Sequence, residues 1–286
     1  MSKPVAIVTG AGSGIGEAVA KHMYSKGYKV VVADLNPKSG ESVASALGPD
    51  ATFIQTDIAS YQSQARMFKQ AYEWGGNRLD FCHANAGIDD RQNIWGAENT
   101  EELDDEGLLK PLNTKTMDVN LEGVIQGLWL FKYYVRRSKA AGGGKGYFVA
   151  TSSAAGLYAM TQCPQYTASK YGIVGLVRAA GPVFVKEGIT VNAICPAFIP
   201  TNLCPPEVLK RWPKEHITPL STVIKAIEAL LADDQLTGQA VELSQEDIFF
   251  RQQVDYPNES QKWIGLESDQ IWNEGYMQDP VPRNGY

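Results

Sequence analysis

Cysteine, histidine and clustered basic charge are scarce in this chain, and each shortage excludes a class of function. The four cysteines, Cys82, Cys163, Cys195 and Cys204, form no C-x-x-C pair, which argues against a zinc ribbon or a thioredoxin-type redox site. Cys82 and Cys195 flank presumed strands, where a free cysteine serves as a small core residue. His22, His83 and His216 show no metal-ligand spacing, so no metal site is expected. The net charge is −6 with no basic tract, which disfavours nucleic acid and anionic membranes as partners. No stretch approaches the ~18 apolar residues of a membrane span. The apolar run Val5-Ala6-Ile7-Val8 is too short for a signal-peptide core. The expectation is a cytoplasmic protein.

Short β-branched runs alternate with helical stretches through most of the chain. Strands are expected over 5–9, 29–34, 52–56, 81–84, 147–151, 190–195 and 239–243, each almost continuously apolar, as strands buried on both faces are. Helices are expected over 15–26, 38–46, 62–74, 116–139, 165–187 and 218–232. That alternation predicts one α/β domain, a doubly wound parallel seven-stranded sheet of the Rossmann type, over 1–243. Residues 244–286 lose the rhythm and read as an extended tail that packs on the body or a partner subunit. The acidic stretch Glu98 to Glu106 and the run Gly142-Gly143-Gly144 read as solvated loops.

Gly10-x-x-x-Gly14-x-Gly16 lies between the first strand and the first helix. Glycine there lets the backbone turn tightly and approach a pyrophosphate, and the helix N-terminus favours its charge. Asp34 ends the second strand 18 residues beyond Gly16, where a carboxylate accepts hydrogen bonds from an adenosine ribose. The same carboxylate repels a 2′-phosphate, and neither the glycine loop nor Leu35-Asn36-Pro37 holds a compensating cation. The expected cofactor is therefore NAD. A strand-end aspartate also caps turns, and that reading stands beside the first. Asp57 and Asn85-Ala86-Gly87 close the third and fourth strands on the same edge, where ligands of such sheets bind.

Tyr166 and Lys170 are four apart at the start of a helix and so share one face. Ser153 lies just past the fifth strand, and Asn120 within Met117-Asp118-Val119-Asn120. A tyrosine with a pKa near 10 is ionised only about one part in a thousand at pH 7, and reaching pKa 7 takes roughly 4 kcal/mol of preferential stabilisation of the phenolate. A nearby ammonium and a positively charged nicotinamide would supply much of that.

These pieces, with Cys195-Pro196-Ala197-Phe198-Ile199-Pro200-Thr201, resemble the short-chain dehydrogenase/reductase family over residues 4 to 243. The branch most similar is the 15-hydroxyprostaglandin dehydrogenase-like one. The resemblance implies a hydride transfer between NAD and a secondary alcohol or its ketone. Tyr166 would exchange the hydroxyl proton, Lys170 lower its pKa and grip the nicotinamide ribose, Ser153 bond the substrate oxygen, and Asn120 hold a water that links Lys170 to solvent. The implied cofactor set is Gly10, Ser13, Gly14, Ile15, Gly16, Asp34, Leu35, Asp57, Ile58, Asn85, Ala86, Gly87, Tyr166, Lys170, Pro196, Ile199 and Thr201. The implied substrate set is Ser153, Cys163, Tyr166, Leu203 and Trp212.

Two departures stand out. Ala197 replaces the family's usual glycine after Pro196. Where the branch has a substrate-touching glutamine, this chain has Cys163, with Gln162 beside it, so the expected substrate is a lipophilic polycyclic or terpenoid-like alcohol. The proline-rich segment 197–216 is expected to be a lid. The helices over 116–139 and 165–187 resemble those that pair in family dimers, so a homodimer or homotetramer is expected. A ketone reductase acting on a biosynthetic intermediate is the nearest alternative function, and a non-catalytic NAD-binding regulatory protein the alternative of another class.

Overall fold

The computed structural model describes residues 3–278 except 91, 93, 95–101, 141 and 143. The acidic stretch and the triglycine run fall partly outside them. The described chain divides into two compact units, residues 1–251 and 252–286.

The larger unit is built on β1 (Val5–Thr9), β2 (Lys29–Asp34), β3 (Ala51–Gln55), β4 (Phe81–Ala84), β5 (Gly146–Thr151), β6 (Ile189–Pro196), β7 (Ala240–Ser244) and β8 (Asp247–Arg251). Their order in the sheet is β3-β2-β1-β4-β5-β6-β7-β8. The first seven run parallel, while β8 pairs antiparallel with β7. The crossover from β3 to β4 reverses the order beside β1, which opens the crevice where such sheets bind ligands.

Helices cover both faces: α1 (Gly14–Ser25), α2 (Pro37–Leu47), α3 (Tyr61–Trp74), α4 (Lys115–Met117), α5 (Gly123–Ala140), α6 (Pro164–Phe184), α7 (Pro206–Arg211) and α8 (Leu220–Ala232). Their starts follow from local chemistry. Asn36 caps α2, its side chain accepting from the backbone N–H of Lys38 and Ser39, with Pro37 at the first position; Ser60 caps α3 by accepting from Ser63. Both satisfy N–H groups that a helix start leaves open. One core layer packs Met67, Phe68, Phe131, Phe148, Ile173 and Val177 under α3, α5 and α6. The other packs Val8, Val19, Met23, Val32, Ile194 and Ile227 under α1, α2 and α8.

Three expectations are corrected. The sheet has eight strands among the described residues, not seven. Residues 247–251 leave the tail and close the sheet edge through a hairpin in which Ser244 faces Asp247 and Gln245 takes a left-handed φ of 52°. Tight hairpins usually announce themselves with Asn-Gly or Asp-Gly; Gln245-Glu246 does not. Beyond it the chain is not extended: the smaller unit holds α9 (Glu259–Leu266), capped by Asn258, and α10 (Asp269–Gln278). Finally, the helix expected over 116–139 is broken, because a π-helical turn, Asp118–Glu122, separates α4 from α5. Such turns insert one residue and re-aim a side chain, often at functional sites.

Candidate active site

At the cofactor edge, Gly10 and Gly14 adopt left-handed φ values of 61° and 58°, which glycine takes without steric cost. Crowding adds a second requirement. A Cβ at Gly16 would stand 2.2 Å from the Gly10 carbonyl oxygen, and one at Gly12 would stand 2.8 Å from Asp34 Oδ2. Ser13 precedes α1 without a side-chain cap bond, so the first-turn N–H groups of Gly14, Ile15 and Gly16 face the loop as an anion cradle. This cradle fits a pyrophosphate. Asp34 braces it: Oδ2 accepts from Gly12 N at 2.8 Å and Oδ1 from Asn36 N at 2.9 Å. The turn-capping and the ribose-facing readings of Asp34 are thus compatible.

Asp57 turns one oxygen inward, accepting from Ala59 N at 2.9 Å. Ile58 packs under Gly123, and Leu35 is exposed. Thr201 reaches back toward the glycine loop, within 3.0 Å of where a Gly14 Cβ would lie, while Ile199 is buried in the core and Pro196 ends β6. The Asn85-Ala86-Gly87 corner hangs from Thr9, whose hydroxyl accepts from Asn85 N at 2.9 Å and Ala86 N at 3.1 Å. Asn85 Nδ2 donates to the Thr9 carbonyl at 3.1 Å, and its Oδ1 accepts from Thr151 at 3.0 Å. His83, buried, meets Thr151 Oγ1 through Nε2 at 2.8 Å. Since the threonine proton goes to Asn85, the imidazole donates. Burial lowers the His83 pKa to about 3, so the ring stays neutral.

The four chemistry-bearing residues converge where β4 and β5 end. Lys170 is 3% exposed and donates from Nζ to the Thr151 carbonyl at 2.8 Å. Burial lowers its pKa to about 8. Its Nζ lies 5.3 Å from the centre of the Tyr166 ring. The Tyr166 phenol is pushed up to about 12 by burial, against a hydrogen bond to Ser153 that lowers it. The lowering expected of Tyr166 involves the positive charge of an oxidised nicotinamide as well as Lys170, so burial is the part of the balance that the protein itself sets. Ser153 also accepts from Ala155 N at 3.1 Å, which fixes its place at the start of a short 3-10 turn.

Asn120, presented by the π-helical turn, is fully buried. Its Oδ1 accepts from Ile88 N and its Nδ2 donates to the Ile88 carbonyl, both at 2.9 Å, with a weaker bond to Ser169 Oγ at 3.3 Å. Gly87 sits over Asn120 Oδ1 and Lys170 Nζ; a Cβ there would lie 3.2 Å and 3.5 Å from them.

Asp90 escaped the sequence reading. Cys163 precedes α6 without capping it. The cap comes from a distant loop: Asp90 Oδ1 accepts from Tyr166 N at 2.6 Å and Oδ2 from Gln165 N at 3.1 Å. Gln165 Nε2 adds a bond to the Gln92 carbonyl at 2.8 Å. No local pattern marks a cap supplied from so far along the chain. In the segment 197–216, Phe198 and Trp212 stack with ring centres 3.8 Å apart, and Thr218 N donates to the Phe198 carbonyl at 2.8 Å to close its base. Leu203 and Trp212 remain exposed enough to contact a ligand, at 43% and 36%. Cys163 and Cys204 are half-buried, whereas Cys82 and Cys195 are buried core residues.

A glycine cradle at a sheet switch point, beside a serine, a tyrosine and a buried lysine, defines a nicotinamide-dependent oxidoreductase acting on CH–OH groups. The chain belongs to the short chain dehydrogenase family, whose model matches residues 4–211. It is 38% identical over 206 residues to the human 15-hydroxyprostaglandin dehydrogenase [NAD(+)], covering 70% of this chain and 69% of that protein. It is 33% identical over 237 residues to a cyclohexanol dehydrogenase of an Acinetobacter species, covering 80% and 88%. The fold matches a 3-ketoacyl-(acyl-carrier-protein) reductase from Brucella melitensis, solved with NADH, with a TM-score of 0.70 at 24% identity, covering 84% of this chain and 96% of that one.

Proposed function

We propose that this protein oxidises a lipophilic secondary alcohol to its ketone with NAD as cofactor. The observation that carries the reading is the convergence of Ser153, Tyr166 and Lys170 beside the Gly87 corner. When bound, the nicotinamide ring supplies the hydride acceptor and, in its oxidised form, a positive charge. Gly10, Ser13, Gly14, Ile15 and Gly16 would hold the pyrophosphate, Asp34 the adenosine ribose, and Lys170 the nicotinamide ribose. Pro196, Ile199 and Thr201 would border the amide.

The Tyr166 oxygen takes the proton of the substrate hydroxyl as the carbinol C–H leaves as hydride. Ser153 donates to the substrate oxygen and steadies its developing charge. Lys170, held on Thr151, places positive charge near the phenol and favours its ionised form. Asn120 acts through position, pinning Ile88 so that the Gly87 corner stays open. Its Oδ1 retains a second lone pair for the water that would link Lys170 to solvent.

The choice of NAD over NADP rests on Asp34 and on the lack of cations in the glycine loop and in Leu35-Asn36-Pro37. The related enzyme whose name carries NAD(+) supports it. The lid residues Leu203 and Trp212, with Cys163, would shape an apolar substrate site. Exposed Ile125, Trp129 and Tyr133 on α5 and Tyr171 on α6 support a homodimer or homotetramer. One observation favours the reverse direction as a second reading. Burial keeps Tyr166 protonated at neutral pH, which suits donation to a ketone.

The test is reduced-nicotinamide absorbance with a panel of secondary alcohols and ketones. Tyr166→Phe should keep NAD affinity and lose about 10²- to 10⁴-fold in turnover. Undiminished turnover in that variant defeats the mechanism, and tight NAD binding without turnover of any panel member defeats the enzyme reading.

A further inference from the structure

The turn that carries Ser153 is anchored at its far end by three polar side chains that the reaction itself does not use. Ser153 opens the 3-10 turn Ala154–Gly156. The Ala154 carbonyl accepts from the N–H of Leu157 at 3.0 Å and from that of Tyr158 at 2.8 Å, so Tyr158 moves with the turn. Gly156 is wedged against α6, since a Cβ there would stand 2.6 Å from the Lys170 carbonyl oxygen.

Tyr158 then reaches the last two strands of the sheet. Its hydroxyl donates to Glu242 Oε2 at 3.0 Å and accepts from Arg251 Nη2 at 2.8 Å. Arg251 Nε donates to the same Glu242 oxygen, and the Arg251 carbonyl accepts from Arg178 Nη2 of α6 at 3.1 Å. The phenol thereby uses both its donor and its acceptor. The Glu242 side chain is only 8% exposed, and a carboxylate at that depth needs its counter-ion and its hydrogen bonds. Glu242 of β7 lies beside Cys195 of β6, and Leu157 packs with Cys195, Ala240 and Val174. The three side chains thus tie the serine turn to β7 and to β8, a strand outside the span 4–243 that carries the family resemblance.

We propose that Tyr158, locked by the Glu242–Arg251 pair, is a positioning residue that holds Ser153 where its hydroxyl and that of Tyr166 meet one substrate oxygen. This rests on the dehydrogenase reading above and deepens it. The effect passes through Ser153, so it falls on kcat and spares the cofactor cradle at the ends of β1 and β2.

Tyr158→Phe removes the hydroxyl and leaves the Glu242–Arg251 pair in place. With the panel compound that the wild type turns over fastest, kcat should fall about tenfold, the scale of a small misplacement of a catalytic group. NAD affinity and thermal unfolding should stay near wild type. Arg251→Lys keeps a counter-ion for Glu242 but cannot fork to both partners, and its kcat should lie between those of the wild type and Tyr158→Phe. A double-mutant cycle separates positioning from general support. In a Ser153→Ala background, read by single turnover, Tyr158→Phe should change the rate by less than about twofold, because no serine hydroxyl is left to place. A defect of the fold, or a direct contact of Tyr158 with substrate, would subtract as much in either background. An unchanged kcat in Tyr158→Phe, or an equal loss in both backgrounds, overturns the inference while the enzyme reading stands. No turnover of any panel alcohol or ketone by the wild type overturns both.

Discussion

The two halves of the candidate site are built by opposite means. At the ends of β1 and β2 the work is done by missing side chains. Gly10, Gly12, Gly14 and Gly16 leave room for backbone approach, and the one charged group there, Asp34, is spent partly on bracing Gly12 N. At the ends of β4 and β5 the work is done by side chains taken out of water. Lys170 is drawn down to about 8, Tyr166 pushed up to about 12, and His83 held neutral. The first region depends on steric space and the second on a low-dielectric setting that magnifies small charge displacements. The segment 197–216 belongs to neither; it is largely exposed and is held by the Phe198–Trp212 stack, by backbone bonds and by the Gln245 side chain donating to the Glu215 carbonyl.

That contrast predicts how each region breaks. Gly16→Ala should do the most damage, since its methyl would meet backbone at 2.2 Å. A loss of about 3 kcal/mol in stability, with cofactor binding abolished, is expected by urea unfolding and NAD titration. Near-normal NAD affinity would show that the loop yields.

Next is Lys170, whose folded pKa of about 8 lies below its ordinary 10.5. Between those values the unfolded chain holds more protons, so this group makes stability rise with pH, on the order of 2–3 kcal/mol across the window. Lys170→Met should remove that rise from urea unfolding followed over pH 8 to 10; an unaltered slope would mean the amine is solvated.

Asp34→Ala should alter the cofactor rather than the fold. About tenfold of the discrimination between NAD and NADP should disappear, in keeping with removal of one partly screened charge, as read from kcat/KM for each cofactor. Identical ratios would leave Asp34 as a turn brace only. The smallest effect belongs to the lid. Trp212→Ala should cost about 1 kcal/mol or less in thermal stability and raise KM for bulky alcohols a few-fold with kcat little changed; a collapse of kcat would place Trp212 in the chemistry.

Legibility in the sequence followed the same division. Nearly continuous apolar runs marked the parallel strands, because burial on both faces favours apolar residues, although β3 is only half-buried and β4 carries the buried His83. Glycine spacing marked the cradle, because only glycine meets the steric demand. Other features had no local signature. The β7–β8 hairpin turns on Gln245, a residue without turn preference, and β8 is short and largely exposed. The π-helical turn that aims Asn120 looks like ordinary helix in sequence. The cap on α6 comes from Asp90, far from Tyr166 along the chain.

By itself, the sequence determined the α/β alternation, the glycine cradle and the pairing of Tyr166 with Lys170 on one helical face, since each is set by residues within a few positions of one another. Tertiary structure alone decided that burial pushes the Tyr166 phenol up, that Asp90 caps the helix bearing it, and that Asn120 is buried against Ile88. Those outcomes depend on which distant groups exclude water from one another, and dielectric surroundings are a property of the packed molecule, not of any segment.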